Sequence, residues 1–193
     1  DSDSDGGTLT VASIAGVALT PGVAQAIAVT GGTVNVSATG VITFTPDANY
    51  NGTINIPYTI SDGQGGTATG NQTITVTPVN DAPTIDVTAS AFTEDAAGTI
   101  AGAVAGTFTT HDQDGDALTV GWTGGSSPTD GGGHALYTLD AASGRVLLTQ
   151  AGADYVNAGH TLPAIDLTVS DGSLTGHDSA TPVVTLVNDA PVA

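Results

Sequence analysis

The chain has 193 residues and a formal net charge of −18, set by 19 acidic side chains against one basic residue, Arg145. It has no cysteine, which excludes a disulfide framework, a thiolate metal site and a cysteine nucleophile. A single basic side chain cannot neutralise a row of phosphates, and no apolar run reaches the ~18 residues of a membrane span. Neither a nucleic-acid partner nor direct membrane insertion is therefore expected. The apolar residues are mostly Val, Ile, Leu and Ala with Thr between them, which is strand chemistry, and the strong helix formers are scarce. In chain order the pattern predicts strands over 8–14, 23–29, 33–37, 41–45, 53–60 and 72–79. It continues with 84–89, 99–109, 117–123, 134–139, 145–149, 164–170 and 181–187. Period-two alternation is clear in Ile165-Asp166-Leu167-Thr168-Val169, and Asp-Gly, Ser-Gly and Gly-Gly-Gly turns punctuate the runs.

An internal repeat sets the domain count. Val79-Asn80-Asp81-Ala82-Pro83 recurs as Val187-Asn188-Asp189-Ala190-Pro191, and Ser61-Asp62-Gly63 recurs as Ser170-Asp171-Gly172. Asp3-Ser4-Asp5-Gly6 aligns with Asp112-Gln113-Asp114-Gly115, and between these 38–42 aligns with 142–146. The order of matches is the same in both halves, so the chain reads as two copies of one unit of roughly 110 residues. The predicted fold class is all-β, with two tandem immunoglobulin-like β-sandwich domains over 1–83 and 84–193. The second copy carries 84–111 ahead of its Asp-x-Asp-Gly motif, whereas the first has only Asp1 and Ser2 there. The first domain is therefore expected to lack its opening strand or two, either as a fragment of a longer chain or completed by another chain's strand. Pro191-Val192-Ala193 reads as the first step into a further repeat.

The acidic residues carry the chemistry. Eighteen are Asp and only Glu94 is Glu. Asp112, Asp114 and Asp116 alternate around Gly115, and such loops supply several of the hard oxygens that calcium takes. Two carboxylates ~4 Å apart repel by ~4 kcal/mol at an effective dielectric near 20, and there is almost no basic side chain to relieve that. A bound divalent cation is the natural remedy; a solvated turn is the plain alternative. An EF-hand does not fit, because no Glu stands at the twelfth position and no helices flank the loop.

The string 61–69, Ser-Asp-Gly-Gln-Gly-Gly-Thr-Ala-Thr, followed by Thr-Pro-Val-Asn-Asp-Ala-Pro over 77–83, resembles the cadherin-like repeats of bacterial surface proteins. The second copy resembles cadherin domains in Glu94, Asp112-Gln113-Asp114, Asp154-Tyr155, Asp171 and Asn188-Asp189. The resemblance implies a repeat of a large calcium-dependent RTX-type adhesin, placed outside the cell on a bacterial surface after type I secretion. It implies Ca2+ at the junction of the two domains, held by Asn80, Asp81, Asp112, Asp114 and Asp171, with Asp116 as an extra ligand. Glu94, Asp154, Asn188 and Asp189 would form half of the next junction, and Asp3, Asp5 and Asp62 half of the preceding one. The linker is shorter than that of cadherins.

An enzyme is not expected. The four histidines are far apart in sequence, and no Gly-x-Ser-x-Gly or phosphate loop is present. Trp122 is expected to pack in its sandwich. The first functional reading is a calcium-rigidified extender whose partners are neighbouring repeats of the same chain. The alternatives are a glycan- or protein-binding module presenting the glycine-rich loop 124–133, and a noncatalytic accessory domain of a secreted enzyme.

Overall fold

The structure, a computed structural model, describes residues 7–188. It divides into two compact units, Asp1–Val79 and Asn80–Ala193. Residues 80–83 thus sit with the second unit. Each unit is a β-sandwich.

The first unit contains β1 (Thr10–Ile14), β2 (Val17–Ala18), β3 (Gln25–Val29), β4 (Gly32–Val36), β5 (Ile42–Pro46), β6 (Gly52–Ser61) and β7 (Thr67–Val76). One antiparallel sheet runs β2-β1-β6-β7 and the other β3-β4-β5. Alternation decides which side chains go inside. On β4 the residues Gly32, Val34 and Val36 are buried while Thr33 and Asn35 are only partly so. Ile14, Ile27, Val34, Val36, Ile54 and Ile56 form the core.

The second unit contains β8 (Thr84–Ala89), β9 (Ala91–Thr93), β10 (Val104–His111), β11 (Thr119–Trp122), β12 (Tyr137–Asp140) and β13 (Arg145–Leu148). Then follow the helix α1 (Gln150–Asn157), β14 (Ile165–Ser170), β15 (Thr175–Ala180) and β16 (Val183–Thr185). One sheet is β12-β13-β10-β8 and the other β11-β14-β15. β14 is the buried spine: Ile165, Leu167 and Val169 are fully covered while Asp166 and Thr168 alternate outward. Trp122 stacks on Tyr137 with ring centroids 6.0 Å apart and packs against the core. Tyr137 donates its hydroxyl to the Pro163 carbonyl at 2.6 Å, and burial pushes its pKa up.

Beyond the short strands β2 and β9, which no predicted run covered, three elements of the second unit depart from the sequence expectation. β15 is a strand whose Thr-Gly-His-Asp-Ser-Ala string has almost no apolar alternation. It is held by its ladder with β14, from Ile165↔Ala180 to Ser170↔Thr175, so pairing overrides propensity. β16 pairs with β9 in parallel, whereas an immunoglobulin-like sandwich is built of antiparallel sheets. The helix α1 is the third. Thr149 caps it, its hydroxyl accepting the Gly152 N–H at 2.9 Å and donating to the Ala135 carbonyl at 2.6 Å. Gly152 is required here, because a side chain would run into the Leu136 carbonyl. Replacing Thr149 by Ala is expected to lower stability by about 1 kcal/mol, read from urea unfolding. An unchanged midpoint would mean that the cap contributes nothing.

Candidate metal centre

The Asp112 loop begins where β10 ends at His111. Asp112 folds the loop around its own carboxylate: Oδ1 accepts the backbone N–H of Asp114 at 2.9 Å and of Asp116 at 3.1 Å. Gly115 supplies the left-handed turn, φ 79°, that lets the chain come back. The result is that Asp112, Asp114 and Asp116 each bring one carboxylate oxygen within 4.8 Å of the others.

Two further segments of the same unit meet this loop or its neighbour. The Asp81 N–H donates to Asp114 Oδ2 at 2.7 Å. The Asn80 side-chain amide donates to Asp171 Oδ2 at 2.8 Å. Asn80 and Asp81 are adjacent, so the 112–116 loop and the β14–β15 turn are both tied to one dipeptide. That turn is itself closed by Asp171 Oδ1, which accepts the N–H groups of Ser173 and Leu174, each at 2.6 Å. All six residues expected at the junction are therefore drawn to one end of the second unit.

The electrostatics of this end are unusual in one atom. Among the described residues, Asp112 Oδ2 is the buried side-chain oxygen with no hydrogen-bond partner. A carboxylate oxygen removed from water without a donor is costly, on the order of 1–3 kcal/mol and more when charged. No Lys stands anywhere in the chain to supply a donor. The donor set is hard oxygen throughout, which fits calcium rather than a soft metal.

Asp171 is held below the ordinary aspartate value of 3.8 by the Asn80 amide first, then by the backbone N–H groups of Leu174 and Ser173. A lowered folded pKa stabilises the fold above the ordinary carboxylate range, and that contribution is lost as pH falls through the folded value. Replacing Asn80 by Ala is expected to move the Asp171 pKa up towards 3.8, measured by NMR titration of the side-chain carboxyl carbon. An unmoved titration would mean that the Asn80 amide does not reach Asp171 in solution.

The residues expected to form the other half-sites are arranged differently. Glu94 is only 4% exposed. Its Oε2 accepts the Val187 N–H at 2.8 Å, and its own N–H donates to the Thr185 carbonyl at 3.0 Å. Glu94 thus lies beside the stretch leading into Asn188, which is exposed. The residue after Glu94 is tied to the end of α1, since the Asp95 N–H donates to Asn157 Oδ1 at 3.0 Å. Asp154 is elsewhere on α1. Its Oδ1 accepts from the Gln150 amide at 2.8 Å, and it lines a shallow cavity with Asp130, His134, Tyr155 and His160. In the first unit Asp62 caps the β6–β7 turn, its Oδ1 accepting the N–H of Gln64 at 2.7 Å and of Gly66 at 2.9 Å. Asp3, Asp5 and Asp189 lie outside the described residues.

Two of the aspartates that sequence reasoning did not single out tie parts of the second unit together. Asp178 on β15 accepts the Val87 N–H of β8 at 2.8 Å, and this bond holds its pKa below the ordinary value. It closes the sandwich between one sheet and the edge of the other. Asp130 closes the glycine-rich loop: it accepts the N–H groups of Gly132 and His134, and its Oδ2 lies 2.9 Å from His134 Nδ1. The loop expected to present a binding surface is thus tied onto itself at its Gly-Gly-Gly end. The Asp-Gly-Gly-Gly-His spacing was the available signal for that turn.

Residues 1–76 match the family model described as a bacterial Ig domain. No curated protein matches the chain. Among solved structures, the chain is similar to human protocadherin-24 EC1-2, with a TM-score of 0.55 at 14% identity over 97% of this chain and 85% of that one. It is also similar to protocadherin gamma B2 extracellular cadherin domains 3–6, with a TM-score of 0.53 at 20% identity over 82% of this chain and 38% of that one. A protocadherin gammaB7 EC3-6 cis-dimer gives a TM-score of 0.53 at 16% identity, over 89% of this chain and 44% of that one. The chain spans less than half of the length of these last two.

Proposed function

We infer that the chain, all-β and built as tandem sandwiches, is a pair of cadherin-like, immunoglobulin-like repeats. We propose that it is a calcium-rigidified extender module of a bacterial cell-surface adhesin, noncatalytic, with neighbouring repeats of its own chain as partners. The orphaned Asp112 Oδ2 carries this reading. It sits among Asp114 and Asp116, and a divalent cation gives three clustered carboxylates the counter-charge that this sequence otherwise lacks.

Asp112, Asp114 and Asp116 would hold the ion, with Asp81, Asn80 and Asp171 completing an oxygen-rich rim. The ion would supply charge neutralisation and a coordination bond to each oxygen. The chain's own residues do the rest. Asp112 Oδ1 holds the loop closed, and Asp114 and Asp171 fix the dipeptide Asn80-Asp81. That dipeptide directly follows Val79, the last residue of the first unit. Ordering it removes backbone freedom of ~1–2 kcal/mol per residue at the point where the chain passes from one unit to the next. Extracellular calcium modules bind at ~0.1–1 mM, so the site would fill outside a cell and empty inside one. The family match over 1–76 supports a bacterial setting.

The test is small-angle scattering of the 193-residue protein in millimolar calcium and in chelator. The expected result is a narrower distribution of interatomic distances with calcium. Identical distributions, together with no heat of calcium binding by calorimetry, would remove the proposal. Binding without stiffening would leave a stability role and remove the extender mechanism.

A further inference from the structure

The second unit carries a group of side chains that the calcium site does not use. The helix α1 ends in a Schellman turn. Gly159 takes a left-handed φ of 78°, its N–H donates to the Val156 carbonyl at 3.0 Å, and the His160 N–H reaches back to the Tyr155 carbonyl at 3.2 Å. This turn brings His160 onto Tyr155, and the two rings stack with centroids 4.5 Å apart and 29° between their planes. Tyr155 is anchored from beneath, because it packs against the core of the unit, whereas His160 is exposed. Asp154, one residue earlier on the helix, is exposed as well. Its Oδ1 accepts the Gln150 amide at 2.8 Å, and a carboxylate has further lone pairs to offer.

The glycine-rich loop closes onto the same place. Asp130 Oδ1 accepts the backbone N–H groups of Gly132 and His134, each at 2.8 Å, and Oδ2 lies 2.9 Å from His134 Nδ1. Asp130 therefore spends its carboxylate on its own turn. An ionised carboxylate only accepts, so the proton of a neutral His134 sits on Nδ1 and its Nε2 presents a lone pair. The His134 side chain is 72% exposed. Asp130, His134, Asp154, Tyr155 and His160 together line a cavity of about 490 Å³, a volume within the ~300–1,000 Å³ range of small-molecule sites.

The chemistry of this lining selects an occupant. Among the described residues, three or more ligand atoms converge within 4.8 Å at Asp112, Asp114 and Asp116 and not here, so the cavity fits something larger than an ion. With Asp130 engaged, Asp154 is the one carboxylate left to face an ammonium group, so an amine is the weaker match. A hydroxylated ring matches better, because hydroxyls donate to spaced acceptors and a stacked pair of rings gives an apolar seat. We propose that this cavity is a saccharide site for a pyranose with two adjacent free hydroxyls. One hydroxyl donates to Asp154, a charge-assisted bond, and its neighbour donates to His134 Nε2. The apolar face of the sugar lies on the Tyr155–His160 pair. All of these residues belong to the second unit, and none of their contacts involves the Asp112 loop.

The experiment titrates the intact 193-residue protein with the methyl α-pyranosides of glucose, galactose, mannose and fucose. Chelator is present throughout, so that calcium plays no part. Binding is read from amide NMR shifts and from saturation transfer to the sugar. At least one pyranoside is expected to shift the amides of 130–134 and 154–160 saturably, with a dissociation constant in the millimolar range. Its deoxy analogue, lacking one of the adjacent hydroxyls, is expected to bind at least fivefold more weakly. Asp154→Ala and His160→Ala both change exposed side chains. Each is expected to weaken binding at least fivefold and to leave the melting midpoint read from Trp122 unchanged. The proposal is overturned if none of the four sugars shifts these amides at about 100 mM, on the order of a hundred times a millimolar dissociation constant. It is also overturned if binding persists undiminished in both variants. Shifts of the same amides by ethanolamine or by zinc, with none by a sugar, would assign the cavity to an amine or a metal and overturn it equally.

Discussion

Saturating the chelated protein with about 10 mM calcium is expected to raise the melting midpoint of the second unit by roughly 5–15 °C. At ~10–100 times a dissociation constant of ~0.1–1 mM, linkage adds about 1.4–2.7 kcal/mol per site, and each kcal/mol shifts the midpoint of a unit of this size by ~4–5 °C. Trp122 is the one tryptophan and packs against the second unit's core, so its fluorescence reports that unit selectively. The variant Asp112→Asn separates ion binding from general screening. It keeps an oxygen that can accept the Asp114 and Asp116 N–H groups, and it removes the charge on the orphaned oxygen. The calcium shift should vanish in this variant. In chelator its midpoint should equal or exceed that of the parent, because carboxylates within 4.8 Å of one another repel by ~1 kcal/mol per pair even in a water-like dielectric. A parent protein whose midpoint moves equally with calcium and with sodium chloride of the same ionic strength would show only screening. A calcium response that survives in Asp112→Asn would move the ion away from this loop.

Acid gives an independent reading of the second unit. The carboxyls of Asp171 and Asp178 both lie below the ordinary aspartate value of 3.8, held by the Asn80 amide and by the Val87 N–H respectively. Their stabilisation is complete above the ordinary carboxylate range. It is lost as pH falls through their folded values, so the chelated protein should melt lower below about pH 4 than at pH 7.

The strands that alternation announced are those with one dry face. Ile165, Leu167 and Val169 on β14 alternate with polar residues, and so do Ile85 and Val87 on β8. β15 was hidden because its stabilisation comes from a ladder with β14 and from the Asp178 bond to Val87, neither of which is written in its own six residues. The helix α1 was hidden because Gly152, which lowers helix propensity, is present for a close approach to the Leu136 carbonyl. The acidic loop was legible for a different reason. Its carboxylates are local, three Asp over five residues with a Gly between, and the more distant Asn80, Asp81 and Asp171 were reached through the cadherin resemblance. Asp154 was carried over in the same way, and its contacts are with Gln150 and the cavity beside His134.

The largest loss of stability is expected from Leu167→Ala. Leu167 is 0% exposed and lies in the middle strand of its sheet, opposite Trp122 on β11 and Asp178 on β15. Truncating a Leu held this tightly removes its transfer free energy and leaves a cavity that neighbouring strands cannot collapse into, a cost of about 2–5 kcal/mol. For a domain of this size that lowers the midpoint by roughly 10–25 °C. Ile42→Ala in the first unit is the matched control. Its side chain is already 43% exposed, so less apolar surface returns to water, and the change should be below about 1 kcal/mol. The contrast follows from the difference between the two copies: β10 covers Val146 in one, and no strand among the described residues covers Ile42 in the other. Urea unfolding read by Trp122 and by exchange of the first unit's amides distinguishes the two effects. A Leu167→Ala loss smaller than 1 kcal/mol would mean that β14 is not the spine of its sandwich. An Ile42→Ala loss as large as that of Leu167→Ala would mean that the edge of β5 is covered in solution.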